Sequence, residues 1–236
     1  MIDFIKNNYP LLSVGILSAN LMNLEKDIDI LEKNNIKLLH FDVMDGNFVP
    51  QLTIGHTFVK AVKTKLFKDV HLMIKDPYNF IPYYISAGAD IITLHLESGN
   101  HIRACLRLIS TSVNVNDVKR KIACGLAITP ATPISSIEPF LPDIDIITLI
   151  GVNPGYYNET FYDDTIERAF AVKKLIAESK KDIFLCIDGG ITKEVIKKVS
   201  QVAPHIVVSG SAIFEKNNVK ENIQIMQNYL LKKNKE

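Results

Sequence analysis

The stretch HFDVMDGNFVP, residues 40 to 50, puts a histidine and an aspartate two positions apart inside an apolar run. Side chains alternate across a β-strand, so Leu38, His40, Asp42 and Met44 point one way and Leu39, Phe41 and Val43 the other. One face is apolar throughout; the other carries an imidazole and a carboxylate near its end. DVHLMI repeats the pattern with His71 and Met73 on one face, and IFLCID does so with Cys186 and Asp188. Imidazole nitrogen and carboxylate oxygen together suit a borderline divalent ion such as Zn2+, Fe2+, Mn2+ or Co2+. His40, Asp42, His71 and Asp188 are therefore a candidate metal set, provided the fold brings three separate strands to one place. Only His40-x-Asp42 is a local spacing, and any one of these histidines taken alone reads more readily as a satisfied core or surface residue.

The elements that must position them follow from the apolar periodicity. Strand-length runs occur at residues 11–18, 37–44, 69–74, 90–96, 122–128, 144–150, 183–188 and 205–210. Amphipathic segments such as NLEKDIDILEKNN, HTFVKAVKTKL, YNFIPYYISAG, TIERAFAVKKLIAESKK and TKEVIKKVSQV lie between them, and a last one runs from Asn218 towards Leu231. Eight β-α units at this length predict an α/β fold, a closed (β/α)8 TIM barrel, with functional groups at the C-terminal ends of the strands. An open doubly wound sheet would show fewer units and a Gly-rich first turn. The strand ends are indeed polar: Ser18, His40 and Asp42, His71, His95 with Glu97, Thr129, Asn153, Asp188, and Ser209-Gly210-Ser211.

Small residues supply a second, independent signal. DGGI at 188–191 ends the seventh strand and SGSAIF at 209–214 follows the eighth, where barrels of this kind bind phosphate through backbone N–H groups. NPGYYN at 153–158 follows the sixth strand. A glycine at such a turn is often only a turn former, and it is the placement after the last two strands that favours an anion site.

The remaining composition narrows the class. The chain has 236 residues, 47% hydrophobic and 22% charged, with no linker or break in composition, so residues 1–236 are expected to form one domain. With 27 Lys plus Arg against 26 Asp plus Glu, the net charge of +1 gives no electrostatic case for nucleic acid or an anionic membrane. Cys105, Cys124 and Cys186 are an odd count without a C-x-x-C pair, against a disulfide framework or zinc ribbon. With neither a signal-peptide pattern nor a membrane-length apolar run, a reducing cytoplasm is the expected location.

The runs GILSANL, HFDVMDGNFVPQLTIG, DVHLMI, AGADIITLH, GLAITPATP, VNPG, DGGI and SGSAIF, in this order over roughly residues 11 to 214, resemble the ribulose-phosphate 3-epimerase family. The resemblance implies a ribulose-phosphate-binding barrel that interconverts D-ribulose 5-phosphate and D-xylulose 5-phosphate, a step of the pentose phosphate pathway. It implies one divalent metal ion on His40, Asp42, His71 and Asp188, with Asp42 and Asp188 as the two proton-transfer residues. Substrate contacts fall to Ser18, His71, Gly155, Tyr156, Tyr157, Asn158, Gly189, Gly190, Gly210 and Ser211. Family members are oligomeric, so a homo-oligomer is expected, with a small sugar phosphate as the partner and neither nucleic acid nor membrane.

Several positions depart from the family pattern. The loop usually reading NPGFGGQ reads NPGYYNETF, Ile150 stands in place of a methionine, Thr129 in place of an asparagine, and Cys186 in place of a glutamate. The last substitution predicts that a carboxylate supporting the metal ligands is missing; Cys186 itself reads as a buried thiol, and Met44 and Met73 as packing. Two other functions share these features. An epimerase of a related ketose phosphate such as D-allulose 6-phosphate would use the same metal and aspartates, although DGGI and VNPG favour the pentose enzyme. A non-catalytic sugar-phosphate-binding barrel would not need all four ligands and Ser18.

Overall fold

The computed structural model describes residues 1–156 and 159–231. Eight parallel strands close into a barrel and are numbered here in chain order: β1 Leu11–Gly15, β2 Leu38–Met44, β3 Phe67–Met73, β4 Ile91–His95, β5 Ala123–Ile128, β6 Ile146–Ile150, β7 Phe184–Asp188 and β8 Ile206–Ser209. Each strand pairs with the next in the chain, and β8 closes the ring on β1 through Leu11 with Ile206 to Val14 with Ser209.

Strand parity sorts the core into two parts. Leu12, Val14, Leu39, Phe41, Val43, Val70, Leu72, Ile92, Leu94, Leu126, Ile128, Ile147, Leu149, Leu185, Ile187 and Val207 pack outward in one cluster with the helices. The alternate residues point into the barrel. Its N-terminal end is filled by Leu11, Leu38, Ile91, Ala123, Ile146, Phe184, Cys186, Ile206 and Val208 around a fully buried Ile5. Ile5 belongs to a short helix, Ile2–Asn8, that caps this end; its burial is worth about 2 kcal/mol. The other end carries the polar residues.

Four strands end earlier than the apolar runs suggest, β3, β4 and β8 by one residue and β1 by three. β1 stops at Gly15, and Ile16–Ser18 form a 3-10 turn in which Ala19 N–H donates to Ile16 O, so Ser18 sits on a turn and is exposed. β4 stops at His95 before a similar turn, Leu96–Ser98.

The helices Leu24–Lys33, Thr165–Ser179 and Val219–Leu231 match the amphipathic segments. HTFVKAVKTKL is helical only over His56–Ala61 because Val62 turns extended. YNFIPYYISAG splits into Pro77–Asn79 and Ile81–Ser86; Pro82 has no N–H to give and belongs in a first helical turn. TKEVIKKVSQV is α-helical over Val195–Val199 and then tightens into a 3-10 turn, Ser200–Val202. The helix Ile102–Ser110 and a hairpin of Val113–Asn114 with Asp117–Lys121 were not evident from the periodicity. Among the described residues no helix is long and apolar enough to cross a membrane. All three cysteines are buried and free.

Candidate active site

β2 and β3 run in exact register, with His40 opposite Asp69 and Asp42 opposite His71, all on the inward face. Asp188 ends β7, which is separated from β2 by β8 and β1. The barrel brings the four candidate ligands together: one nitrogen or oxygen from each of His40, Asp42, His71 and Asp188 lies within 4.8 Å of all the others. His40 Nε2 is 3.2 Å from Asp42 Oδ1 and 3.6 Å from Asp188 Oδ2, while His71 Nδ1 is 3.4 Å and 3.2 Å from the same two oxygens. The histidines are buried, and Asp42, 22% exposed at its side chain, opens toward the mouth.

This pocket is electrostatically incomplete without positive charge. Asp42, Asp69 and Asp188 converge in it, and among the described residues no lysine or arginine bridges to any of them. Burial disfavours a charged His40, yet Asp69, Asp42 and Asp188 outweigh it and hold the imidazole pKa well above its ordinary value. Burial likewise opposes charge on His71, and Asp188 and Asp42 again prevail and raise it. For Asp42 burial would raise the pKa, but His40 and His71 pull it far below the usual carboxylate range. His71 Nδ1 is buried and finds no partner in hydrogen-bond geometry, although two carboxylates flank it. An unpartnered ligand nitrogen facing two carboxylates and a second imidazole fits a divalent cation.

The other nitrogen of each histidine is engaged. His40 Nδ1 lies 2.8 Å from Asp69 Oδ2, which also accepts from Ser13 Oγ at 2.8 Å. Asp69 is thus a supporting carboxylate of the kind that orients metal-binding histidines. The loss expected from Cys186 is not a loss of all such support: Cys186 is a buried thiol whose pKa burial pushes well up, with Asp69 and Asp188 adding to the shift. Sequence reasoning missed Asp69, although it shares the parity of His71. His71 Nε2 meets His95 Nε2 at 2.9 Å, and His95 Nδ1 lies 3.3 Å from Glu97 Oε2. Burial would raise the Glu97 pKa, but His95, Thr132 and the Thr129 N–H lower it to about 2.

The substrate-contact candidates line the adjoining rim. The loops after β6, β7 and β8 are neighbours because these strands pair in sequence; Gly151 N–H donates to Asp188 O and Ser209 Oγ to Ile191 O. Among the described residues the N–H groups of Gly190 and Ser211 meet no backbone acceptor outside the helices and strands. Gly210 abuts β1: a Cβ there would approach Gly15 O to 2.8 Å and Ser18 Oγ to 3.4 Å. Gly155 has φ +77° and packs so closely on Val49 that a Cβ would overlap that side chain. The loop bearing Val49 is anchored by Asp45, which accepts from Asn47 and Phe48 N–H through Oδ1 and from Lys75 N–H through Oδ2. Tyr156 is 62% exposed; Tyr157 and Asn158 lie outside the described residues.

Fold and site together define a TIM-barrel protein of the ribulose-phosphate-binding type. The Salmonella typhimurium 3-hexulose-6-phosphate synthase structure shares the fold, with a TM-score of 0.65 and 17% identity over 94% of this chain and 98% of that one. The model of the ribulose-phosphate 3 epimerase family matches residues 11–214. The ribulose-phosphate 3-epimerase of Bacillus subtilis is 36% identical over 212 residues, 89% of this chain and 94% of its own length. That of Escherichia coli K12 is 35% identical over 225 residues, 94% and 96%. The chain belongs to the ribulose-phosphate 3-epimerase family.

Proposed function

We propose that this protein interconverts D-ribulose 5-phosphate and D-xylulose 5-phosphate by moving the C3 proton between Asp42 and Asp188, with one divalent metal ion on His40, Asp42, His71 and Asp188. The observation that carries the reading is the convergence of two carboxylates and two imidazoles from β2, β3 and β7 at the barrel mouth. A bound divalent cation would supply positive charge to stabilise the negative charge developing on the oxygens beside the reacting carbon.

Inverting a carbon centre requires that its proton leave from one face and return to the other. Asp42 from β2 and Asp188 from β7 approach from separate arcs of the ring, which supports one acting as base while the other acts as acid, with the roles exchanged for the reverse direction. His40 and His71 hold the two carboxylates in place from beneath. Ser18 donates near the reacting carbons from its turn, and the backbone of Gly155, Gly189, Gly190 and Gly210 with Ser211 receives the phosphate, aided by Tyr156. One domain in the reducing cytoplasm, assembled as a homo-oligomer and serving the pentose phosphate pathway, completes the proposal; three buried free thiols support the compartment.

The test is a coupled assay of metal-loaded protein with D-ribulose 5-phosphate beside D-allulose 6-phosphate, repeated after chelation and again after Zn2+, Fe2+, Mn2+ or Co2+ is restored. Preference for the pentulose, lost on chelation and regained with metal, is expected. Preference for the hexulose would reassign the substrate, and full turnover by verified metal-free protein would remove the metal from the reaction.

A further inference from the structure

The two histidines of the site are held from behind in different ways. His40 engages a carboxylate directly, whereas His71 meets a second imidazole, His95, which in turn meets Glu97. The His71 and His95 rings are tilted by only 19° with centroids 4.9 Å apart, and at 2.9 Å between nitrogens their edges meet at hydrogen-bond distance, one nitrogen donating to the other. Both rings are buried, and Phe48 covers His95 with ring centroids 4.9 Å apart.

The far end of this chain decides which nitrogen carries the proton. Glu97 Oε1 accepts from Thr129 N–H at 2.9 Å, from Thr129 Oγ1 at 3.1 Å and from Thr132 Oγ1. A carboxylate among donors is an acceptor at both oxygens, so His95 Nδ1–H donates to Oε2. Neutral His95 then has a bare Nε2, which accepts from His71 Nε2–H. In a neutral His71, the form that binds a metal, that leaves Nδ1 bare, and this is the buried atom without a hydrogen-bond partner that faces Asp42 and Asp188.

We propose that His95 and Glu97 are positioning residues that hold His71 as its Nε2–H tautomer and so present Nδ1 to a metal ion. The inference rests on the metal reading above. Glutamine cannot replace Glu97 in this chain. With its oxygen toward Thr129 N–H, its amide would face His95 Nδ1–H; with its amide toward Thr129, donor would face donor there.

The test uses the Zn2+-loaded protein labelled with 15N at histidine, in which two-bond proton–nitrogen correlations report each tautomer. His71 protonated at Nε2 and His95 protonated at Nδ1 are the expected result; a proton on His71 Nδ1 or on His95 Nε2 overturns the inference. Glu97→Gln should bind Zn2+ about 10–100-fold more weakly in competition with a chelator and shift the visible spectrum of the Co2+ form; unchanged affinity and spectrum overturn it. Wild-type protein that binds no Zn2+ would overturn the metal reading itself, whereas Zn2+ binding with the other tautomers overturns this inference alone. The tautomer measurement needs no variant and so does not depend on Glu97→Gln folding.

Discussion

His40 and Asp69 face each other across the β2–β3 ladder, with Nδ1 and Oδ2 2.8 Å apart inside the barrel. In a neutral ring, the form that binds a metal, this contact places the His40 proton on Nδ1 and turns Nε2 to the site. Asp69→Asn would offer an amide to that nitrogen or turn its oxygen there with less charge. Zn2+ affinity is expected to fall about 10–100-fold, measured by chelator competition, with the fold retained by circular dichroism.

Asp42→Asn and Asp188→Asn each remove one of the two proposed acid–base groups while preserving shape. Turnover should drop by about 10^2–10^4 or more in each, and solvent deuterium should no longer enter C3 of ribulose 5-phosphate at the wild-type rate. Appreciable epimerisation by either variant would end the two-aspartate mechanism.

His205 offers a pH-dependent probe of the barrel away from the site. Its Nδ1 accepts the Leu185 N–H at 2.9 Å, which requires a neutral ring. Burial, with Lys173 adding to it, depresses its pKa to about 4. A histidine harder to protonate when folded binds more protons unfolded, so its contribution is complete above pH 6.5 and is lost as pH falls toward 4. Partial exposure limits the loss to about 1–2 kcal/mol. Urea midpoints at pH 7 and pH 4.5 should differ more for wild type than for His205→Gln, whose side-chain oxygen accepts at both.

Gly155→Ala tests the joint between the loops after β2 and β6. A side chain at φ +77° is strained, and its Cβ would displace Val49. A stability loss of about 1–3 kcal/mol is expected, together with a KM for sugar phosphate raised more than kcat is lowered. Wild-type stability and KM in the variant would show that the two loops do not depend on this contact.

The barrel was legible because eight strand-length apolar runs alternate with amphipathic segments, and parity set His40 with Asp42 on one face of their run, His71 with Met73 and Cys186 with Asp188 on one face of theirs. What the periodicity did not carry is tertiary. Asp69 stands at the edge of the apolar run DVHLMI, but β3 begins two residues earlier at Phe67 and so encloses it. The His71–His95 contact joins a residue to one two places beyond its ladder partner Thr93, a diagonal that only the staggered barrel defines. The helix Ile2–Asn8 is too short to declare itself by pattern and owes its place to Ile5 filling the barrel end. The hairpin at 113–121 is mostly exposed and charged, without the apolar alternation of a core strand.

Three of the four converging side chains come from adjacent strands β2 and β3, and the fourth from β7. Along the chain no four consecutive strands contain both aspartates, because β2 and β7 become near neighbours only through the β8–β1 closure. A fragment ending before residue 188 keeps the two imidazoles but not the carboxylate pair, so the proposed two-aspartate chemistry requires the seventh strand to dock. Under that proposal, turnover reports that the two ends of the barrel have met.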